Sequence, residues 1–468
     1  MKGILNRNKI NYVLAHLSMV VNISGLVEKN RLVFTENFRD DRKSFPAIYF
    51  PLSSSLPDLS GIKSIDSIPV LFPLSDREQF FSRINNSIIF NDDLIKSAFY
   101  LLSGYQEQYP AKRDAMGRYR YRDSIQHRLN IITRPLVNYY FEIIAEGIRE
   151  FCRANSFAPE ERHIFKPFGF VLSHDVDQIR QYTFNNLVHK TLQLTGLKKR
   201  PCSTATLSRQ VSTALAGWLS TAADKDPYWN FDRLMAMEKD LGLSSVFYFL
   251  DKDLKHQDAY YRLTDKRIIL LLRDIQNQGN ETGLHGTVRS ATQPDAMREL
   301  VKKYKKAIAD EQPGIRQHRL LYQYPLTSAI HEDNGFLYDA TLGFAEHEGF
   351  RNSFCYPFKL YNFEQDRPFK TWQIPLNIMD VTLFHYRRLS YPEALASIRD
   401  ILAECKKFGG VFTILWHNSF FDEYLYPGIS DFYQHMLEKI MEEDPEPHTG
   451  KEIIHKMENY SLFSYFNA

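Results

Sequence analysis

The chain has 468 residues, of which 44% are hydrophobic and 14% aromatic, enough for packed cores and too many residues for one small domain, so two or three units are expected. Lys and Arg total 58 against 56 Asp and Glu, a net charge of +2, which leaves no overall field for gathering nucleic acid or anionic lipid. The four cysteines, Cys152, Cys202, Cys355 and Cys405, stand singly, without the close pairing of a zinc knuckle or a redox motif, and read as reduced thiols. The basic N-terminus leads into Tyr12–Leu17, a run too short and His-interrupted for an export core, and no stretch is long enough to span a membrane. A cytoplasmic protein with no membrane span is expected.

Up to about residue 160, strand signals at Leu32–Phe34 and Ala47–Leu52 give way to helical spacing over Asp92–Leu102 and Arg134–Ile144, an α+β pattern. The basic, aromatic segment Arg113–Arg122 reads as a solvated loop rather than a glycan-binding surface. Phe168–Leu172 is an apolar run without polar alternation, as in a strand covered on both faces, and it climbs into Ser173-His174-Asp175-Val176-Asp177. Asp175 and Asp177, two apart on an extended chain, point the same way, whereas His174 points to the opposite side. A polar, basic insertion from about Arg180 to Asp226 reads as helices and loop capping the site.

Strands then alternate with helices: strands over Ser244–Leu250, Glu281–His285, Ile315–Leu321, Phe336–Leu342, Gln373–Met379 and Val411–His417, helices over Asp295–Ala309 and Pro392–Phe408. Such alternation implies a parallel sheet, and six or seven strands over roughly 300 residues favour a closed or nearly closed barrel. Reactive groups collect at the strand ends: His174, Asp175 and Asp177; His285; Arg316 and His318; Asp339; His417. In parallel sheets that edge is where ligands bind. Paired carboxylates such as Asp175 with Asp339 or Glu346 would suit a glycosidase, but that scheme leaves His417 without a task.

With these residues in view, residues 165 to 460 resemble the polysaccharide deacetylases with a NodB homology domain, carbohydrate esterase family four. Ser173-His174-Asp175-Val176-Asp177 is similar to the family's first motif, which implies Asp175 as catalytic base and Asp177 as metal ligand. His285 matches the first histidine of the second motif, but Arg289 stands where the second would be. Arg316 matches the arginine that orients the base, and Leu415-Trp416-His417 matches the motif supplying the general acid, His417. The long insertion, the Tyr338–Arg351 and Ile374–Asp380 stretches and an extra N-terminal domain resemble a Bacteroidetes-type branch.

The resemblance implies a distorted (β/α)7-type barrel over residues 161–468, with a helical insertion at about 180–226, preceded by a smaller α+β accessory domain over residues 1–160. It implies a metal-dependent hydrolase removing N-acetyl or O-acetyl groups from a polysaccharide or glycan precursor. A carboxylate and imidazole shell suits zinc, with cobalt or nickel as alternatives. Two ligands, Asp177 and His285, come with the motifs, and His318 at another strand end is the candidate third, ahead of His174 and His347. Trp416 and Asp339 are the candidate substrate contacts. The partner is an N-acetylated sugar or polysaccharide, not nucleic acid, and the sequence assigns no oligomeric state. The alternative, favoured by Arg289, is an inactive deacetylase-like barrel that binds glycan or a protein partner.

Overall fold

A computed structural model describes residues 3–466 apart from 39–42, 58–60, 109–111, 158–161, 201–202, 220–225, 254–255, 257 and 424. The expected boundary near residue 160 and Cys202 therefore lie outside the described residues; Cys152, Cys355 and Cys405 are free and buried.

The first part builds a four-stranded sheet from β1 (Leu32–Thr35), β2 (Ile48–Pro51), β3 (Phe81–Ile84) and β4 (Ser87–Phe90), in the order β1-β2-β4-β3. Helices α1 (Arg7–Leu17), α2 (Leu94–Leu102) and α3 (Leu136–Ala154) pack with it. Asn6 and Asp93 start α1 and α2 by accepting a backbone N–H three residues on. The long α3 buries Val137, Tyr140, Phe141, Ile144, Ile148 and Phe151, spaced by threes and fours, on one side.

The second part is a curled, mostly parallel sheet. Its strands are β5 (Gly169–Val176), β6 (Ser245–Phe249), β7 (Glu281–Gly286), β8 (Gly314–Gln317), β9 (Tyr338–Asp339), β10 (Phe358–Asn362), β11 (Arg367–Gln373), β12 (Ile378–Met379) and β13 (Val411–Leu415), in the order β10-β11-β9-β8-β7-β6-β5-β13-β12. A short β14 (Glu446–Pro447) pairs with the start of β5. Only the β10–β11 pair is antiparallel. Eight parallel strands on an open hydrogen-bonded path, with an added antiparallel edge, differ from the expected (β/α)7 count; the extra strands come from a Phe358–Gln373 hairpin whose turn residues, Asn362 to Asp366, separate two runs too short to read as distinct strands.

Every residue of β5 is buried, as the unalternating apolar run requires when both faces are covered. Helices α6 (Phe231–Asp240), α7 (Lys266–Asn277), α8 (Pro294–Ala307), α9 (Leu326–Asp333), α10 (Tyr391–Phe408) and α11 (Ile429–Met441) supply that cover, while α4 (Phe184–Leu194) and α5 (Thr204–Leu219) lie in the insertion between β5 and β6. The best-marked is α10. A reciprocal Ser390–Glu393 capping box opens it and Gly409, at φ +64°, closes it, so β13 begins at Val411 and delivers His417 at its far end.

One hydrophobic core runs from α1 through α3 into β5, β13 and α11. Polar anchors cross the same seam. The Tyr12 hydroxyl donates to the Lys359 carbonyl at 2.6 Å, the Lys359 N–H donates to His16 Nε2 at 3.2 Å, and buried Arg351 is gripped by both oxygens of Glu107 at 3.0 and 2.7 Å.

Candidate metal and acid–base site

The parallel strands bring their carboxyl ends to one rim. β8 lies beside β7 with Arg316 opposite His285, and β13 lies beside β5 with Leu415 opposite Ser173. That register places Asp175, Asp177, His285, Arg316, His318 and His417 together although they span more than 240 positions of sequence.

Asp177 is the focus. Three imidazole Nε2 atoms converge on its carboxylate: His285 at 3.2 Å from Oδ1, His318 at 3.5 Å and His417 at 3.8 Å from Oδ2. Each imidazole is held from behind through Nδ1. His285 Nδ1 lies 2.8 Å from the Arg316 carbonyl, which can only accept, so Nδ1 carries a proton and Nε2 is the atom turned to the carboxylates. His318 Nδ1 donates to Asp258 Oδ1 at 2.6 Å, and His417 Nδ1 donates to Asp380 Oδ1 at 2.8 Å, while the same Asp380 accepts the His417 backbone N–H. Such rear contacts fix ring orientation and raise ligand basicity.

Asp175 accepts from Arg316 Nη1 at 2.8 Å. Arg316 is itself locked, its Nη2 donating to Ser173 Oγ and its Nε to the Ala340 carbonyl, with the guanidinium over the Tyr248 ring. Burial alone would raise the Asp175 carboxyl, but His285, Arg316 and His417 outweigh it and hold it below the usual range. Asp177 is likewise driven well down, burial being outweighed first by His318. Burial disfavours charge on the imidazoles too, yet Asp380, Asp177 and Asp175 raise His417 to about 10, and Asp177 with Asp258 raises His318 to about 9.

Asp177, His285 and His318 each offer a ligand atom within 4.8 Å of the others. The fit to a cation shows in two buried atoms without any hydrogen-bond partner: Asp177 Oδ1 and His285 Nε2. Both are potential ligand atoms, 3.2 Å apart, and a divalent ion held between them would satisfy both. Asp177 keeps 23% of its side chain open, toward a cavity of about 280 Å³ also walled by Asp175, His318, Leu320, Met379 and His417.

Some expected residues stand elsewhere. Trp416 is fully buried among Phe420, Phe432 and Tyr433, and Asp339 is fully buried against Thr341 and His331. Neither lines the cavity; Trp416 neighbours His417 and points the other way, as alternation dictates. Asp339, paired with Thr341 and His331 away from the cavity wall, does not face Asp175 across it as a glycosidase partner would. His174 points away, with Nε2 on Glu238 at 2.8 Å, and His347 contacts Glu348 and Arg387. Arg289, standing where the resemblance places a second histidine, reaches outward to Gln293 with its side chain 46% exposed; His318 enters the group from the next strand.

Two second-layer carboxylates, Asp258 and Asp380, escaped sequence reading. Asp380 closes the Ile374–Asp380 stretch and was within reach; Asp258 lies in a loop with no periodic signal. Nor does the Arg113–Arg122 segment stay in solvent. Met116 and Arg118 line the cavity, with Arg118 Nη1 donating to the Arg319 carbonyl at 3.1 Å and Nη2 to the Tyr386 hydroxyl at 3.3 Å. No described residue of the 180–226 insertion is among those lining this cavity.

Residues 4–152 match the model of a family of unknown function, DUF7033. No curated protein sequence matches the chain. Among solved structures, a protein from Mycobacterium smegmatis assigned as a polysaccharide deacetylase is similar at 16% identity and a TM-score of 0.38, over 63% of this chain and 91% of that one. A CE4 family pseudoenzyme from Bacillus anthracis is similar at 10% identity and a TM-score of 0.31, over 61% of this chain and 65% of its own. A mutant of that pseudoenzyme with restored enzymatic activity is similar at 10% identity and a TM-score of 0.30, over 61% and 67%.

Proposed function

We propose that the chain is a metal-dependent hydrolase that removes acetyl groups from an N-acetylated sugar, in a polysaccharide or its precursor. The observation that carries this reading is the convergence of three Nε2 atoms and Asp175 on Asp177, with two buried ligand atoms unpaired. Asp177, His285 and His318 would hold the ion, zinc being suited by one carboxylate and two imidazoles, with cobalt or nickel as alternatives. A divalent ion so held supplies Lewis-acid polarisation of an amide carbonyl and lowers the pKa of water.

The remaining chemistry belongs to this chain's own side chains. Asp175, kept ionised and oriented by Arg316, takes the proton from the attacking water. His417, kept protonated by Asp380, presents Nε2–H to the departing amine and prevents its leaving as an anion. The cavity's apolar wall, from Met116, Leu320, Ala345, Met379 and Val381, receives the acyl-bearing part of the substrate and limits competing water. In this proposal residues 1–160 are an accessory unit that completes the wall, and the protein is cytoplasmic.

The test is acetate release from a panel of N-acetylated sugars by the zinc-loaded protein and by Asp175→Asn and His417→Ala. Turnover by the wild type, lost in Asp175→Asn with metal content unchanged and lowered in His417→Ala, is expected. Undiminished turnover in Asp175→Asn would remove that residue from the reaction.

A further inference from the structure

The insertion between β5 and β6 has a composition of its own. Between residues 178 and 223 the sequence has six Lys and Arg and no Asp or Glu, in a chain whose totals, 58 and 56, otherwise balance. The overall neutrality therefore conceals one strongly basic segment.

Within this segment α4 packs against α5 as a helical pair. Its inner face is held by buried Leu207, Gln210 and Ala214, and Lys190 Nζ donates to Gln210 Oε1 at 3.0 Å. The outer surface carries large apolar side chains among polar ones. Leu197 is 76% exposed, Leu219 67% and Phe184 58%, higher than any other large apolar side chain among the described residues, and Val188 and Leu215 are exposed as well. Phe184 and Val188 lie four apart on α4, as do Leu215 and Leu219 on α5, so each pair shares a helix face. Exposed Lys198, Lys199 and Arg209 accompany them.

Exposed leucines together with exposed lysines, in a segment whose sequence holds no acidic residue, are the signature of an element that lies in the bilayer interface, apolar groups in the acyl boundary and cations at the headgroups. Neither feature alone would suffice: nucleic acid would use the cations and leave the leucines in water, and an ordinary protein–protein patch is depleted in lysine. No helix among the described residues is long and apolar enough to cross a membrane, which fits attachment from one side.

We propose that the helical pair α4 and α5, with the exposed Leu197–Arg200 stretch, docks the protein peripherally on an anionic lipid bilayer. Its root sits at the site's rim. Asn418, next to His417, donates from Nδ2 to the Gln178 carbonyl at 2.8 Å, and Gln181 Nε2 donates to Asp422 at 3.1 Å. Docking therefore holds the cavity's end of the sheet close to the lipid surface. This surface stands independently of the catalytic reading, and its test does not use turnover.

The experiment is co-sedimentation of the full chain with sucrose-loaded vesicles of phosphatidylcholine alone and of phosphatidylcholine with 30% phosphatidylglycerol, at low and at 0.5 M NaCl. The wild type is expected to sediment with the anionic vesicles, at least about tenfold better than with neutral ones, and to be released by salt. Lys198→Glu/Lys199→Glu should lower the partition coefficient by about 30-fold or more, and Leu197→Ser/Leu219→Ser by at least about tenfold. Arg200 is left in place because its guanidinium binds the Gln193 and Leu194 carbonyls. Both variants change exposed side chains, and an unchanged thermal midpoint verifies that each is folded. Absence of binding to anionic vesicles by the wild type overturns the proposal, as does binding that both folded variants retain in full.

Discussion

Asp258 touches no cavity, yet its replacement should loosen a bound metal. It is buried and accepts the Nδ1–H of His318 at 2.6 Å, which leaves His318 Nε2 aimed toward Asp177. In Asp258→Asn the side-chain oxygen can still accept that hydrogen bond, but the negative charge that makes the imidazole a better donor is lost. In Asp258→Ala the ring loses both charge and support. A hydrogen bond to a charged group contributes about 1.5–3 kcal/mol, and about 1.4 kcal/mol is a factor of ten. The zinc dissociation constant should therefore rise by about tenfold in Asp258→Asn and by about 100-fold in Asp258→Ala, in the range seen for second-layer partners of metal-bound histidine. Competition against a chromophoric chelator reads this directly. His174→Gln serves as the control, because His174 pairs with Glu238 on the opposite face of β5 and should leave affinity unchanged. Zinc affinity in Asp258→Ala equal to that of the wild type would refute the view that this carboxylate serves a ligand.

Other consequences follow from the same contacts. Arg316→Met removes the cation that orients Asp175 and should lower kcat by roughly 10²-fold or more, with Arg316→Lys recovering part of the loss; equal kcat in all three proteins would detach Arg316 from the reaction. Glu107→Ala leaves Arg351 buried without its counter-charge and should destabilise the protein by about 3–5 kcal/mol, measured as a shift in the denaturant midpoint. His16 carries a pH prediction. Burial lowers it to about 3, and its Nε2 already accepts from the Lys359 N–H, so the folded state resists protonation while the unfolded chain takes a proton near pH 6.5. The unfolded state then binds more protons below that pH, and stability is full above about 6.5 and falls as pH drops toward 3. The loss is about 2 kcal/mol at pH 5. His16→Gln should remove this component, and an identical pH slope in that variant would refute the assignment.

The sequence made the parallel sheet legible because covered strands write themselves as unbroken apolar runs, as in Phe168–Leu172 and Val411–Leu415. Side-chain alternation was equally readable at Asp175 and Asp177 and correctly turned His174 away. The same rule applied to the last strand would have turned Trp416 into the core, since it neighbours His417. What could not be read was proximity between distant positions. Arg118 reaches the cavity across a loop, Asp258 meets His318 from a segment without periodicity, and both contacts depend on how β7 and β8 are aligned. Nor did the summed charge of +2 reveal that one 46-residue segment has no acidic residue, because the compensating charge is spread over the remaining chain.

The central claim is that Asp177, His285 and His318 hold one catalytic metal ion. Elemental analysis of the wild type, Asp177→Ala and His285→Ala, each stripped with chelator and reconstituted with zinc, tests it most directly. About one zinc per wild-type chain, lost from both folded variants, is the result predicted here; no zinc in the wild type, or zinc retained equally by all three proteins, would contradict it.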